Sequence, residues 1–503
     1  MPSPLAAALV FATSAAVLVL EILAGRLLAP YVGVTLETFT AIIGVVLAAI
    51  AFGTWIGGVL ADRTSPARLL PPCLVFGGAA AIAAVPVVRA LGPAATSTAP
   101  GTVVVLATVG FFVPAAVLSA ASPLVVKIQL DDLDRTGHVV GRLSAIGTAG
   151  ALVGVFVTGF VLVASFPTTP VVVAVGGGLV LGGIALAAYF RRAPTPSSPA
   201  GGALGIGAVA AVAATLAAAT WTGPCEVETA YFCARIEADP DRSGGRTLVL
   251  DTLRHSYVDL DDPTHLEFGY VAVFGDLVDV VAARGTEASG PAVLHIGGGG
   301  FTLPMYVDVV HPRSTNVVLE LDGALVELAR DELGLEESDR MEIRVGDART
   351  ALGGPDADRF DVVIGDAFGG LAVPWHLTTA EFATEVAATM RPGSVYGINV
   401  IDHPPLEFLR AEIATLRSVF DHVALVATAE RLRGEQGGNV VVLASDAPLP
   451  TDALTARLIA RDADETVLGD HDAIDEFVGD APVLTDEFAP VDQLLTTGVT
   501  SRR

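Results

Sequence analysis

The chain has 503 residues, 52% hydrophobic and 17% charged, with a mean hydropathy of +0.60 and a net charge of −26. That is too apolar for an ordinary soluble protein. The charge is unevenly placed: residues 1–222 hold nine Lys/Arg and six Asp/Glu, net +3, which leaves −29 for residues 223–503. So anionic a soluble half excludes nucleic acid as a partner.

Seven apolar segments, 5–29, 38–61, 70–91, 102–126, 139–164, 169–190 and 203–221, are long enough to cross a hydrocarbon layer of about 30 Å. The first is too long, and too closely followed by another, for a cleaved signal peptide. Gly53, Gly57, Gly58 and Gly176 to Gly178 let membrane helices approach closely. Glu21, Arg26, Arg89 and Lys127 lie within spans or at their ends, where charges mark a pathway or serve as structural pairs and helix-end anchors. Glu21 and Arg26, five apart, do not stack on one helix face. Arg63, Arg68, Lys127, Arg135, Arg142, Arg191 and Arg192 cluster around the loops after spans two, four and six. The positive-inside rule then places the N-terminus inside, and seven spans put the soluble half outside. Segment 203–221 is the weakest; without its crossing the soluble half returns to the cytoplasm. Residues Arg191 to Gly202 read as a loop.

Cys225 and Cys233 follow the last span. They form a disulfide if that edge faces an oxidising space, and are otherwise incidental thiols. Cys73 reads as packing. With no CxxC and no His-rich spacing, no metal is expected. The sole lysine is Lys127. An acidic, lysine-free soluble half reads as halophilic, against the plainer reading of an acidic proteome.

Residues 227–262 alternate and turn like antiparallel strands, among them Thr247–Leu250 and His255–Val258. From His265 an amphipathic helix runs to about Arg284. Then strands and helices alternate: strand 292–296, the loop Gly297–Gly300, a helix to about Val310, strand 316–320, helix Gly323–Leu333, strand Met341–Val345 and strand Arg359–Ile364. A helix over Thr379–Met390 follows, closed by Arg391-Pro392-Gly393, then strand Ser394–Val400. Arg431–Gly438 reads as a mobile loop before strand Asn439–Leu443. The alternation predicts a parallel, doubly wound sheet. The predicted fold is multi-domain: an α-helical transmembrane bundle of about seven spans over 1–222, a small β-section over 223–263, and an α/β Rossmann-like, methyltransferase-type domain over 264–503.

Val293-Leu-His-Ile-Gly-Gly-Gly-Gly300 feeds a short apolar run into four glycines. About 20 residues on, the next strand ends in Glu320, the spacing of a nucleotide-binding βαβ unit. Asp347 and Asp366 end the two following strands. Three acids at strand tips behind a glycine loop define a ligand site at the carboxyl edge of the sheet.

At these residues the chain resembles the spermidine synthase family of polyamine aminopropyltransferases, over roughly residues 227–445. Gly297–Gly300 look like its GGGDG loop, Glu320 like its ribose acid, and Gly346-Asp347-Ala348 like its adenine-side element. Phe360-Asp-Val-Val-Ile-Gly-Asp366 looks like the strand bearing its catalytic aspartate. Leu250-Asp251 and His265-Leu-Glu267 are similar to its substrate-side elements, and His255 stands where the family has a glutamine. With its spans, and with Gly57-Gly-Val-Leu-Ala-Asp-Arg63, the whole chain resembles fused transporter-like (MFS-like)/spermidine synthase-like membrane proteins.

The resemblance implies a membrane-bound aminopropyltransferase that uses decarboxylated S-adenosylmethionine and a diamine such as putrescine. It implies Asp366 as catalytic base and Gly297, Gly298, Gly299, Glu320, Asp347 and Ala348 around the nucleoside. His255, His265 and Glu267 fall on the amine side. Gly300 and Gly369 replace two family acids that read ammonium groups. A methyltransferase-like enzyme using S-adenosylmethionine, and a non-catalytic nucleoside- or polyamine-binding transporter or sensor, are therefore the alternative functions. Expected partners are a small amine, the lipid bilayer and a second copy of the chain. Nucleoside chemistry suits a cytoplasmic domain, against the charge rule. Val483–Pro490 resembles a tail element of the fused group, either closing over the site with Asp486 or Glu487 or forming a helix-capping turn.

Overall fold

A computed structural model describes residues 1–33, 36–95, 100–130, 136–192, 201–220, 223–284, 290–336, 338–352, 359–369 and 373–495. Arg135 and residues 193–200 of the expected loop lie outside these. The chain divides into two compact units, Met1–Arg235 with Leu250–Thr252, and Ile236–Val249 with Leu253–Arg503.

Among the described residues of the first unit, six helices are long and apolar enough to cross a membrane: Ser3–Val32, Thr38–Arg63, Pro66–Ala94, Gly101–Gln129, Thr136–Ser165 and Thr168–Arg191. The seventh expected span forms helix Gly201–Thr220, whose described apolar part, Gly205–Ala219, is shorter. It runs beside Pro66–Leu91 in the same direction, since Gly207 faces Val75 and Ala218 accepts a hydrogen bond from Arg89. π-Helical turns at Thr108–Phe112 and Thr158–Leu162 interrupt the fourth and fifth spans. Gly53 and Gly57 lie against the backbone of Ala116 and Ala120, where a Cβ would not fit.

The charges of this unit are anchored at the two ends of the helices. At one end Lys127 pairs with Asp62 at 2.7 Å and Gln129 Nε2 donates to the Met1 carbonyl at 2.8 Å. At the other, Arg26 donates to the carbonyls of Thr229 and Ala230, and Arg89 to Ala218 O and Thr169 Oγ1, both at 2.9 Å. Glu228 accepts from the Thr168 N–H at 2.9 Å, at the N-terminus of a helix. Arg26 turns to backbone carbonyls at the helix end. Cys225 and Cys233 form a disulfide with Cα atoms 5.0 Å apart, and Cys73 is free.

A small sheet has the order β1 (Val227–Glu228), β2 (Cys233–Ala238), β3 (Gly245–Leu250), β4 (Leu253–Asp259). The large sheet holds β5 (Ala292–Ile296), β6 (Thr315–Glu320), β7 (Met341–Val345), β8 (Phe360–Gly365), β9 (Met390–Asp402), β10 (His422–Thr428), β11 (Gly438–Ser445) and β12 (Glu465–Leu468). Its order is β12-β10-β11-β9-β8-β5-β6-β7. β5 to β9 are parallel, as expected. The far end is not: β9–β11, β11–β10 and β10–β12 all pair antiparallel. The connection from Thr428 to Gly438 is too short for a parallel crossover, which needs a dozen or more residues. β9 also begins earlier than expected and absorbs Arg391–Gly393.

Alternate strand residues face opposite layers. Val293, Val362 and Ile364 pack under helices Gly269–Ala282 and Thr451–Ala460. Leu294, Ile296 and Val363 pack under Ala380–Thr389 and Glu407–Arg417. The helix expected from His265 starts at Gly269, which leaves His265, Glu267 and Phe268 on a connecting segment.

Candidate active site

The carboxyl edge of the sheet is pinned where β5, β6 and β8 end. The Asp366 N–H donates to Ile296 O and the Gly297 N–H to Leu319 O, both at 2.9 Å. Gly297 has φ +99° and a Cβ there would stand 2.4 Å from Asp366 O, so only glycine fits. The loop then folds over Glu320. One carboxylate oxygen of Glu320 accepts from the N–H groups of Gly298 (2.8 Å) and Gly299 (3.1 Å), and the other from Asp322 N–H at 2.8 Å. Burial raises the Glu320 pKa against these backbone donors, which lower it. Asp322 caps helix Gly323–Glu332 through Oδ1, while its buried Oδ2 has no partner among the described residues.

Asp366 stands at the tip of β8. Its Oδ1 accepts from Asn399 Nδ2 at 2.9 Å, and the Tyr270 hydroxyl donates to the same carboxylate. Burial pushes its pKa up to about 6, against these two donors. It lines two cavities. One is a recess of about 40 Å³ shared with Gly297, Gly298 and Tyr270; the other is a cleft of about 530 Å³ bordered by His255, Glu267, Tyr270 and Asn399. Glu267 lines both.

The remaining expected site residues divide. His255 lines the large cleft, its imidazole pushed down to about 4 by burial, and a Cβ on Gly299 would stand 3.1 Å from it. His265 lines neither cavity; its Nε2 holds Glu267 at 3.0 Å. Asp347 and Ala348 lie beyond β7, where Asp347 accepts from Thr350 N–H at 3.2 Å and contacts His376 Nε2 at 2.8 Å. Asp486 does not reach these cavities. It pairs with Arg349 and accepts from Thr379 Oγ1 at 2.8 Å, fastening the tail to a helix start.

Sequence reasoning missed Tyr270 and Asn399, the two donors to Asp366. Asn399 carried a signal: it is the one polar side chain in the apolar run Gly397 to Ile401 of β9. It also missed Ser256, whose Oγ accepts from the Gly300 N–H at 3.0 Å. An exposed trio, His471, Asp472 and Asp475, brings three ligand atoms within 4.8 Å of one another, but Asp475 is paired with Arg417.

These elements define a mainly parallel α/β domain with a glycine loop, an acid at the next strand tip and a half-buried carboxylate that lines two cavities. No protein-family model and no curated protein matches the chain. Among solved structures, a probable spermidine synthase from Corynebacterium glutamicum is similar at 29% identity over 53% of this chain and 97% of its own, with a TM-score of 0.48. The spermidine synthase of Thermotoga maritima is similar at 18% identity over 54% and 86%, TM-score 0.34. Human methyltransferase-like protein 13, in complex with SAH, is similar at 24% identity over 39% and 91%, TM-score 0.33.

Proposed function

We propose that the second unit is a transferase that moves an aminopropyl group from decarboxylated S-adenosylmethionine to an amine. The observation that carries this reading is Asp366, a carboxylate held near pKa 6 between a glycine-loop recess and a cleft large enough for a small amine.

The residues present fit a nucleoside. Glu320 uses three of its roughly four acceptor sites on backbone N–H groups, leaving one for a ribose hydroxyl. The orphaned Oδ2 of Asp322 beside it supplies a second acceptor. Leu321 and Val345, 44% and 58% exposed at the tips of β6 and β7, offer an apolar surface for a base next to Asp347.

When bound, a sulfonium nucleoside supplies an electrophilic carbon and a leaving group that keeps the C–S electron pair as a neutral thioether. This chain's task is the amine. An ammonium, with pKa near 10, must lose a proton before its nitrogen can attack. Asp366 takes that proton and later passes it to solvent; the N–C bond forms as the C–S bond breaks. Asn399 and Tyr270 fix the carboxylate's orientation, so positioning and proton transfer share the rate enhancement. Glu267, held by His265, is placed to attract the cation.

Gly300 and Gly369 favour a second reading, methyl transfer from intact S-adenosylmethionine, because ammonium-reading acids are absent at both positions. Purified full-length protein incubated with each co-substrate and an amine distinguishes the two. Methylthioadenosine release supports aminopropyl transfer; S-adenosylhomocysteine release overturns it in favour of methyl transfer.

A further inference from the structure

The large cleft carries both signs of charge, and its two arginines serve no diamine. Besides Glu267 and Asp366 it is lined by Asp464 and Glu465, where β12 begins, and by Arg254 and Arg431. None of Gly297 to Gly300 lines it, so it is the acceptor's side of Asp366. Arg431 is wired to that base. Asn399, which donates to Asp366, accepts from Asn439 Nδ2 at 3.0 Å; the backbone carbonyl of Asn439 accepts from Arg431 Nη1 at 3.2 Å. Arg431 forms no ion pair among the described residues, and its buried Nε has no hydrogen-bond partner there. Arg254 is likewise without a carboxylate partner among them and lies over the Phe268 ring at 5.7 Å. Thr428, paired with Glu465 in the β10–β12 register, adds a buried hydroxyl with no partner among the described residues.

A dication placed here would meet two guanidiniums, and like-charge juxtaposition selects against a partner. An arginine without a carboxylate in a partly enclosed polar cleft is a carboxylate reader. We infer that the acceptor is zwitterionic, with an amine that reaches Asp366 and, on the same molecule, an acidic group that pairs with Arg431. Diamino acids have this chemistry: one or two ammonium groups for Glu267, Asp464 and Glu465, and one carboxylate for the guanidinium. The inference rests on the transferase reading above. It adds Asp464 and Glu465, where β12 begins and beyond the residues 227–445 on which the sequence resemblance rests, as carboxylates on the acceptor's side.

Putrescine and ornithine differ only by a carboxylate and make the test. With full-length protein and decarboxylated S-adenosylmethionine, wild type should use ornithine with a kcat/KM about 100-fold above putrescine, the scale of one enclosed charge pair. Arg431→Gln should bring that ratio to within about tenfold of unity, and Arg431→Lys should restore part of it. Because the readout is a ratio, partial loss of folded protein does not imitate it. A wild-type preference for putrescine, or a ratio unchanged in Arg431→Gln, overturns the inference and leaves the transferase reading standing. If neither amine yields a thioether nucleoside, the transferase reading fails instead. Equilibrium binding of the two amines to wild type and Arg431→Gln then decides: selective loss of ornithine binding supports the carboxylate reader, and equal loss overturns it. Weaker binding of intact S-adenosylmethionine by Arg431→Gln, with the amine ratio unchanged, would assign the carboxylate to the nucleoside and also overturn it.

Discussion

The two units spend their charges differently. In the first, Arg26, Arg89 and Glu228 are committed to backbone groups: carbonyls of Thr229, Ala230 and Ala218, and the N–H that opens helix Thr168–Arg191. In the second, Asp366 accepts from the neutral donors Asn399 and Tyr270, and Arg254, Arg431 and Asp464 form no ion pairs among the described residues. Buried charge is costly unless paired or hydrogen-bonded. A unit that binds Arg26, Arg89 and Glu228 to its own backbone uses those charges as anchors. The cleft differs in leaving Arg254, Arg431 and Asp464 without ion pairs among the described residues, although Arg431 also holds the Asn439 carbonyl. The first unit's own cavity, about 300 Å³ and lined by Arg26, Tyr31, Arg89, Glu228 and the disulfide, belongs with the anchors, because its arginines and glutamate already hold backbone partners.

The comparison breaks most directly at Asp366. Asp366→Asn should lower turnover at least about 1,000-fold, the upper part of the range for a general base, while nucleoside affinity stays within a few-fold. Its effect on stability has the opposite sign. The folded pKa, about 6, lies above the ordinary 3.8, so the folded state holds the proton more tightly than the unfolded chain. The ionised carboxylate therefore costs stability at every pH above about 6, and stability is regained as pH falls from about 6 towards 4. Asp366→Asn should accordingly raise the melting temperature at pH 8. A variant that loses both activity and stability would show an anchor rather than a base.

The same group sets the pH profile. Only the ionised carboxylate accepts a proton, so kcat/KM should fall about tenfold per pH unit below pH 6. A profile flat from pH 7 to 5 would remove Asp366 from the proton path.

Gly297→Ala probes the backbone that joins the recess to the base. With φ +99° and a Cβ 2.4 Å from a backbone oxygen, the substitution strains the loop and pushes Asp366. A loss of about 3 kcal/mol in denaturant unfolding is expected, with turnover lost alongside. Unchanged stability would mean the loop does not close on β8 as described.

Much of this was legible in the sequence. Gly297, Glu320 and Asp366 were readable because parallel strands repeat at regular spacing and place their ends on one edge. Asp347 was readable as a strand tip, but not its commitment to Thr350 and His376, which depends on a segment about 30 residues away. Asn399 stands out as a polar residue in an apolar run, but its donation to Asp366, like that of Tyr270, was not readable, because the two donors come from β9 and from a helix, which no local pattern links. The antiparallel β10–β11 pair follows from the short connection Thr428 to Gly438, of which the sequence shows only the loop Arg431–Gly438. Spacing left Cys225 and Cys233 open because pairing depends on the strand geometry of β1 and β2, which brings their Cα atoms to 5.0 Å.

The disulfide is an anchor of the covalent kind. It closes a loop eight residues apart, worth about 2 kcal/mol on the chain-entropy account. Cys233→Ser should lower stability by that amount, and thiol labelling of wild type should require prior reduction. Labelling without reduction would place residues 223–235 in a reducing compartment and favour a cytoplasmic second unit over the charge rule.

The smallest expected effect is the sharpest test of an anchor. Glu228 accepts from the N–H groups of Thr168 and Thr169, at 2.9 and 3.4 Å, where helix Thr168–Arg191 has no side-chain cap of its own. A carboxylate there satisfies two orphan donors and faces the positive end of the helix dipole. Glu228→Gln keeps an acceptor but removes the charge, so stability should fall by only about 0.5–1 kcal/mol in thermal unfolding of the full chain. Glu228→Ala also removes the acceptor and should cost about 1 kcal/mol more. An anchor predicts this graded order. A residue kept for a ligand would show no stability loss in either variant, and would move the first unit's cavity into the same class as the cleft.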